Sequence, residues 1–330
     1  MRASLAVLSS GAFLALALVL GVAFGTEPIA LSHLFDGADS IERAALLEAR
    51  LPRVLLGAIA GGGLAAVGVA FQAVLRNPLA EPYVLGVSGG SALGATIAIL
   101  AGAAGTTLVG ASLVPLAALA GGIGATVLVY SLVRAGGAAS GASILLAGVV
   151  VNAIASAVIT FLKTLVTASK AQELLFWLMG FLDVQSWPQI AFVAAYVAVG
   201  VTILMADAAR LNVLALGDDG AANLGVDVRA LERRTFFACS AIVGGIVSLT
   251  GLIGFIGLVV PHALRRLVGP DVRVLLPASL LAGGGALVLC DLVSRLAFRW
   301  IHTEPPVGAV TALLGGPLFL VLLRRRALRF

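Results

Sequence analysis

Apolar runs long enough to cross a bilayer succeed one another along most of this chain. A membrane-crossing helix needs roughly 20 apolar residues. On that measure the pattern predicts about ten spans, at 5–25, 51–73, 84–102, 108–132, 143–167, 189–206, 234–250, 251–268, 275–298 and 307–323. The runs are continuous and do not alternate with period two, which argues against a transmembrane β-barrel. Arg2 and the "AFG" before Thr26 imitate a signal peptide, but the first run is longer than a signal core and reads as a retained helix. One stretch breaks the pattern. In "LNVLALGDDGAANLGVDVRALERR", residues 211–234, acids, amides and arginines crowd between spans six and seven.

Composition agrees with the pattern. With 60% hydrophobic and 11% charged residues, a soluble fold of this length could not cover its surface. The 40 glycines in 330 residues suit helices that approach closely through small side chains. Cys239 and Cys290 both lie within apolar runs, with no zinc or disulfide spacing, and read as packing residues. The net charge of +5 needs no nucleic acid to explain it, because cationic residues gather on the cytoplasmic side of such proteins.

Lys and Arg positions set the expected orientation. With the N-terminus inside, Arg2, Arg76, Arg134, Arg210, Arg229, Arg233, Arg234, Arg265, Arg266, Arg273, Arg324, Arg325, Arg326 and Arg329 fall in the cytoplasm. Arg43, Arg50, Arg53, Lys163, Lys170, Arg295 and Arg299 fall outside, so the 21 cations divide two to one. An even number of spans returns the C-terminus to the cytoplasm, and the polar stretch lies there too. The chain thus reads as one all-α polytopic domain, 1–330, with its cytoplasmic segment at 211–230. A repeat is also visible. Residues 58–86 align with 241–269, matching Gly61 with Gly244, Gly62 with Gly245, Gly68 with Gly251, Pro78 with Pro261 and Gly86 with Gly269. Spans two and seven start on opposite sides, so spans 2–5 and 7–10 would form an inverted repeat, a common plan in transporters.

Polar residues inside the spans are the candidates for function. Asn152, Ser156, Thr160, Lys163 and Thr167 recur at steps of three and four, which puts them on one helical face. Ile154, Val158, Phe161 and Leu165 occupy the rest. Such a stripe is costly against lipid, so it faces either protein or a water-filled path. Arg50 and Arg53 in "RLPR", and Arg295, sit near the outer rim. They can snorkel to headgroups or act as forks for a carboxylate-bearing partner. Asp291, four residues before Arg295, can neutralise it. "GVSGG" at 86–90 offers Ser88 as a nucleophile with His262 as base, but nothing else assembles a triad or an oxyanion hole. The only lysines, Lys163 and Lys170, belong to no G-x-x-x-x-G-K-[ST] loop, so the sequence carries no P-loop for ATP.

Six segments together resemble a known family. "RLPRVLLGAIAGG", "QAVLRNPLAEPYVLGVSGGSALGA", "LFWLMGFLD", "LALGDDGAANLGVD", "GFIGLVVPHALRRLVGPD" and "PPVGAVTALLGGPLFLVLL" are similar, in this order, to FecCD-type permease subunits of ABC importers for iron–siderophore complexes, haem and vitamin B12. The resemblance covers nearly everything from residue 50 onward. It implies a bacterial inner-membrane protein of ten-helix subunits, paired as a homodimer or near-identical heterodimer. Two cytoplasmic ATPase subunits would hold the ATP and magnesium, no cofactor or metal would reside in this chain, and a periplasmic or lipid-anchored substrate-binding protein would dock outside. It further implies that Gly217, Asp218, Asp219, Ala222, Leu224 and Gly225 form the coupling contact with the ATPase. Asp218 would cap the helix start and Gly225 supply a left-handed stop. Arg50 and Arg53, with Arg295 as a third, would contact acidic residues of the binding protein, and the fifth span would line the path. The rival classes are an ion-coupled secondary transporter, for which the spans offer only Asp291 and Lys163, and an intramembrane serine protease built on Ser88.

Overall fold

The computed structural model describes residues 2–27, 29–30, 32–33, 40–103, 107–108, 111–135 and 141–327. Ten helices stand where the apolar runs predict spans. They are α1 (Arg2–Ala23), α3 (Leu51–Val74), α4 (Val87–Leu100), α5 (Leu113–Ala135), α6 (Gly141–Thr164), α8 (Trp187–Ala206), α11 (Val228–Thr250), α12 (Ile256–Val268), α13 (Val272–Ile301) and α14 (Val307–Ala327). Between them lie α2 (Ile41–Ala44), α7 (Ala168–Met179), α9 (Ala208–Leu214) and α10 (Asp218–Asn223), and a two-residue hairpin of β1 (Thr107–Leu108) and β2 (Ala111–Ser112). Among the described residues, six helices are long and apolar enough to cross a membrane unaided. α4 and α12 are short because irregular segments precede them, and α11 begins with a charged turn. Arg329, one of the residues behind the expected orientation, lies outside the described residues.

α3 is the central helix, almost wholly buried and packed against α13, α12, α11 and α8. Glycines permit that contact. A side chain at Gly61 would overlap the carbonyl oxygen of Gly283 on α13, and one at Gly68 would overlap that of Gly257 on α12. The entry to α3 has a specific cause. Pro52 has no N–H to donate to the carbonyl four residues back, and the turn before it, Ala45–Arg50, widens to a π-helix in which Leu51 N–H bonds Leu46 O.

The contacts between helices carry the internal repeat. α3 packs on α13 and α12, as α11 packs on α5 and α4. α4 packs on α5 and α6, as α12 packs on α13 and α14. Exchanging α3–α6 with α11–α14 therefore maps each pairing onto another. The aligned Gly61 and Gly244 are equivalent in this sense, the first facing α13 and the second facing Leu119 on α5. Beyond them the sequence register slips. Pro78 lies in the α3–α4 connection but Pro261 lies inside α12, and Gly86 precedes α4 while Gly269 follows α12. The two connections differ in length, so a fixed offset cannot follow both.

Those connections meet each other amid apolar helices. Ile253 N–H donates to the Tyr83 hydroxyl oxygen at 3.0 Å, and Phe255 N–H donates to Glu81 Oε1 at 2.9 Å. Phe255 holds a left-handed φ of 69°, uncommon for an aromatic residue, at the start of α12. Backbone without regular structure survives here because side chains of the other connection satisfy it.

Candidate functional site

The polar stretch folds into α9 and α10 at one end of the bundle. Gly217, with φ 92°, turns the chain out of α9, and α10 ends in a Schellman motif. Val226 N–H bonds Ala221 O, Gly225 N–H bonds Ala222 O, and Gly225 takes φ 80° with open space where a side chain would stand. The expected left-handed stop at Gly225 is therefore present. Asp218 does not cap. Gly217 occupies the cap position, and the Asp218 carboxylate instead pairs with Arg76 at 3.1 Å. Asp219, Ala222 and Leu224 are exposed, and Leu216 and Leu224 present apolar side chains to the exterior at 67% and 64% exposure.

Three ties join this unit to the bundle. Arg76–Asp218 connects the end of α3 to α10. Asn212 on α9 donates to Asp271 Oδ1 at 2.6 Å and accepts from Val272 N–H at 2.8 Å, which fastens α9 to the start of α13. Asp207, buried at the α8–α9 junction, accepts from Arg210 at 2.6 Å and from Arg234 on α11 at 3.0 Å. Glu232 lies beside the first tie, before the apolar part of α11 begins. Burial raises its pKa to about 7, the Asp218 carboxylate pushes the same way, and Arg76 opposes them. At the second tie, the Arg273 guanidinium hydrogen-bonded to Asp271 holds that carboxyl down to about 2, with Asn212 assisting. Sequence reading did not find Glu232, Asn212, Asp207 or Asp271, because the contacts that join them to the bundle, Glu232 beside Arg76 and Asp218, Asn212 with Asp271, and Asp207 with Arg234, are remote in the chain.

A groove of about 540 Å³ opens along α6, and Asn152, Ser156, Thr160 and Lys163 line it with Tyr83, Ser88 and Leu252. The stripe holds two different kinds of residue. Ser156 and Thr160 are exposed in the groove. Asn152 is a clamp, accepting from Gly89 N–H at 2.9 Å and donating to Tyr83 O at 2.6 Å. Thr167 does not belong to the stripe. α6 ends at Thr164, and Thr167 starts α7, where its hydroxyl meets that of Ser169 at 3.1 Å. The Ser88 hydroxyl donates to Tyr83 O at 2.9 Å, so it serves the same turn as Asn152.

At the opposite end the three rim arginines turn inward. Arg50 and Arg295 are 8% and 3% exposed. Arg50 donates to the carbonyls of Val22, Ala23 and Glu27, and Arg295 to those of Gly21 and Phe24, so both cap the C-terminal end of α1. Arg299 adds bonds to Gly25 O and Thr26 O. Asp291, buried, bridges Arg53 at 2.9 Å and Arg295 at 2.8 Å, and Arg53 reaches Glu304 at 2.9 Å. Of the three rim arginines, Arg53 keeps the most open edge. The expectation of three outward forks thus meets a buried ionic knot, because the last carbonyls of α1 need donors and find them here. Beside it a cavity of about 530 Å³ gathers Glu173, Asp183 and Glu304 with Phe176, Trp177 and Phe181. The sequence reading missed α7, which supplies Glu173, Phe176 and Trp177, because its 12 residues are too few for a span.

Comparison with known proteins follows the same lines. The model of the FecCD transport family matches residues 13–325. The cobalamin import system permease protein BtuC of Halobacterium salinarum is 42% identical over 280 residues, 85% of this chain and 73% of that protein. The hemin transport system permease protein HmuU of Yersinia pestis is 36% identical over 280 residues, 85% of this chain and 83% of that protein. A solved structure of an inward-facing metal-chelate type ABC transporter superposes with a TM-score of 0.85 at 31% identity, covering 97% of this chain and 98% of that one. Matched by that family model over most of its length, the chain belongs to the FecCD transport family.

Proposed function

We propose that this protein is the membrane-spanning permease of an ABC importer that carries a bulky metal chelate, such as an iron–siderophore complex, haem or cobalamin, into the cytoplasm. It works as a pair, most simply two copies of itself, in a bacterial inner membrane with both termini cytoplasmic. Two partner ATPases, which bind the ATP and magnesium, seat against α9 and α10, with Gly217, Asp218, Asp219, Ala222, Leu224 and Gly225 as the contact. A periplasmic or lipid-anchored binding protein delivers cargo to the opposite end, near Arg53, Glu304 and the acidic, aromatic cavity. Arg50 and Arg295 serve that docking face by holding the end of α1 in place.

The observation that carries this reading is the attachment of α9–α10 to α3, α11 and α13 by side chains as well as by the backbone. A push on a loose loop would dissipate. A push on this unit reaches three span helices, including the central one. Closure of the ATPase pair is converted in this way into a change of access along the α6 groove, where Ser156, Thr160 and Lys163 meet the cargo or its water. The names of the relatives, cobalamin and hemin permeases, support the cargo class.

The test is reconstitution of the chain with its ATPase and binding protein in liposomes, with ATP-driven uptake of cobalamin, haem and a ferric siderophore measured side by side. One of the three accumulates, and Ala222→Pro, which breaks α10, abolishes that uptake while the purified variant melts as wild type. Normal uptake by the Ala222→Pro protein would remove α10 from the coupling path.

A further inference from the structure

A second cavity, of about 740 Å³, runs between α8 and α11 and shares no lining residue with the α6 groove. Val199 and Ile203 of α8 and Phe237 and Ala241 of α11 form its apolar walls. Arg233 and Arg234 close it at the α9–α10 end. α8 is one of the helices long and apolar enough to span a membrane, and only a third of its apolar window is buried in the protein. The surroundings of this groove are therefore lipid. From Arg233 to Ala241 the wall rises about 12 Å at the helical pitch, room for the upper part of an acyl chain. The two ends of the groove thus differ in chemistry, hydrocarbon along the helices and paired guanidinium groups at the membrane surface.

We propose that this groove binds one anionic phospholipid from the leaflet on the α9–α10 side, its phosphate on Arg233 and Arg234 and an acyl chain against Val199, Phe237 and Ala241. Arg233 is exposed and forms no ion pair with a described residue. Arg234 spends one Nη2 contact on Asp207 and keeps further N–H groups for a phosphate oxygen. Guanidinium forks suit phosphate geometry, and basic residues between membrane helices at the surface favour anionic headgroups over zwitterionic ones. The inference is independent of the cargo, since it needs only that α8 and α11 face a bilayer.

The full chain, purified in mild detergent, is mixed with equal amounts of phosphatidylglycerol and phosphatidylcholine of identical acyl chains and examined by native mass spectrometry. Wild type retains one phosphatidylglycerol in preference to phosphatidylcholine by about fivefold, the discrimination expected of Arg233 alone, since Asp207 already neutralises Arg234 and leaves it only the phosphate common to both lipids. Arg233→Gln brings the ratio near one. Ala195→Phe, at an exposed position lining the groove, lowers retention of both lipids and, as a separate arm, keeps the test valid should Arg233→Gln fold poorly. Equal retention of the two lipids by wild type would overturn the proposal and leave only an unspecific lipid-facing surface. So would full selectivity in Arg233→Gln or unchanged retention in Ala195→Phe. A disulfide between two Ala195→Cys chains would assign the groove to a second copy and overturn it as well.

Discussion

Arg76, in a left-handed turn at the end of α3, holds Asp218, the first residue of α10, at 3.1 Å. Both side chains are substantially exposed, so the pair contributes at most about 1 kcal/mol to stability. Its importance lies in what it connects. Asp218→Ala is expected to leave the melting temperature within a few degrees of wild type and to lower ATP-driven uptake. The charge-exchanged double variant, Arg76→Asp with Asp218→Arg, restores part of that uptake. Wild-type transport by Asp218→Ala would show that the tie carries no coupling.

Glu232 predicts a pH dependence. Its folded pKa of about 7 lies above the value near 4.5 of the free carboxyl, so the folded state binds the proton more tightly. This group therefore favours folding at low pH, and its contribution falls as pH rises from about 4.5 to about 7. Glu232→Gln should flatten the stability profile across that window and raise the melting temperature at pH 8. The gain is on the order of 1 kcal/mol, less than the full shift implies, because the site lies at the solvated end of the bundle. Parallel melting curves of the two proteins across pH 5–8 would refute it.

Asp291 compensates two buried guanidinium groups. Asp291→Asn leaves Arg53 and Arg295 without their shared charge, at a cost of about 3–5 kcal/mol. The variant should melt markedly lower in detergent and expose the end of α1 to protease. Arg50→Ala should loosen the same end of α1, because it removes the donor to the Val22 and Ala23 carbonyls. Unchanged proteolysis near residues 22–27 in both variants would contradict the capping role.

The α6 stripe separates under mutation. Ser156→Trp and Thr160→Trp, at exposed positions in the groove, should block uptake with little change in melting temperature. Asn152→Ala should lower stability by about 1 kcal/mol, because Gly89 N–H loses its partly buried partner and Tyr83 O keeps only the Ser88 hydroxyl. Equal thermal losses in all three variants would mean that the stripe is packing throughout.

Gly68 tests the central helix. Its absent side chain admits the Gly257 carbonyl, and Gly68→Val should cost about 1–3 kcal/mol or prevent accumulation of folded protein. A variant that purified and melted as wild type would show that α3 and α12 can separate without penalty.

Much of this architecture is written locally in the chain. The ten apolar runs, the polar stretch between the sixth and seventh, and the left-handed stop at Gly225 follow from hydrophobic length and backbone preference, which act over neighbouring residues. The family resemblance likewise rests on contiguous segments. Tertiary structure decided the fate of the charges. Arg50 and Arg295 look like rim residues in sequence, yet the unsatisfied carbonyls at the end of α1, more than 20 positions away from either, draw them inward. Asp218 has the composition of a cap and becomes a strut because Arg76 stands opposite. Glu232 gains its raised pKa, and Asn212 its partner, only when α9, α10, α11 and α13 converge. Hydrophobic burial is roughly additive along a helix and so can be read from it, whereas the state of a polar group depends on which distant donor or acceptor packing brings within 3 Å.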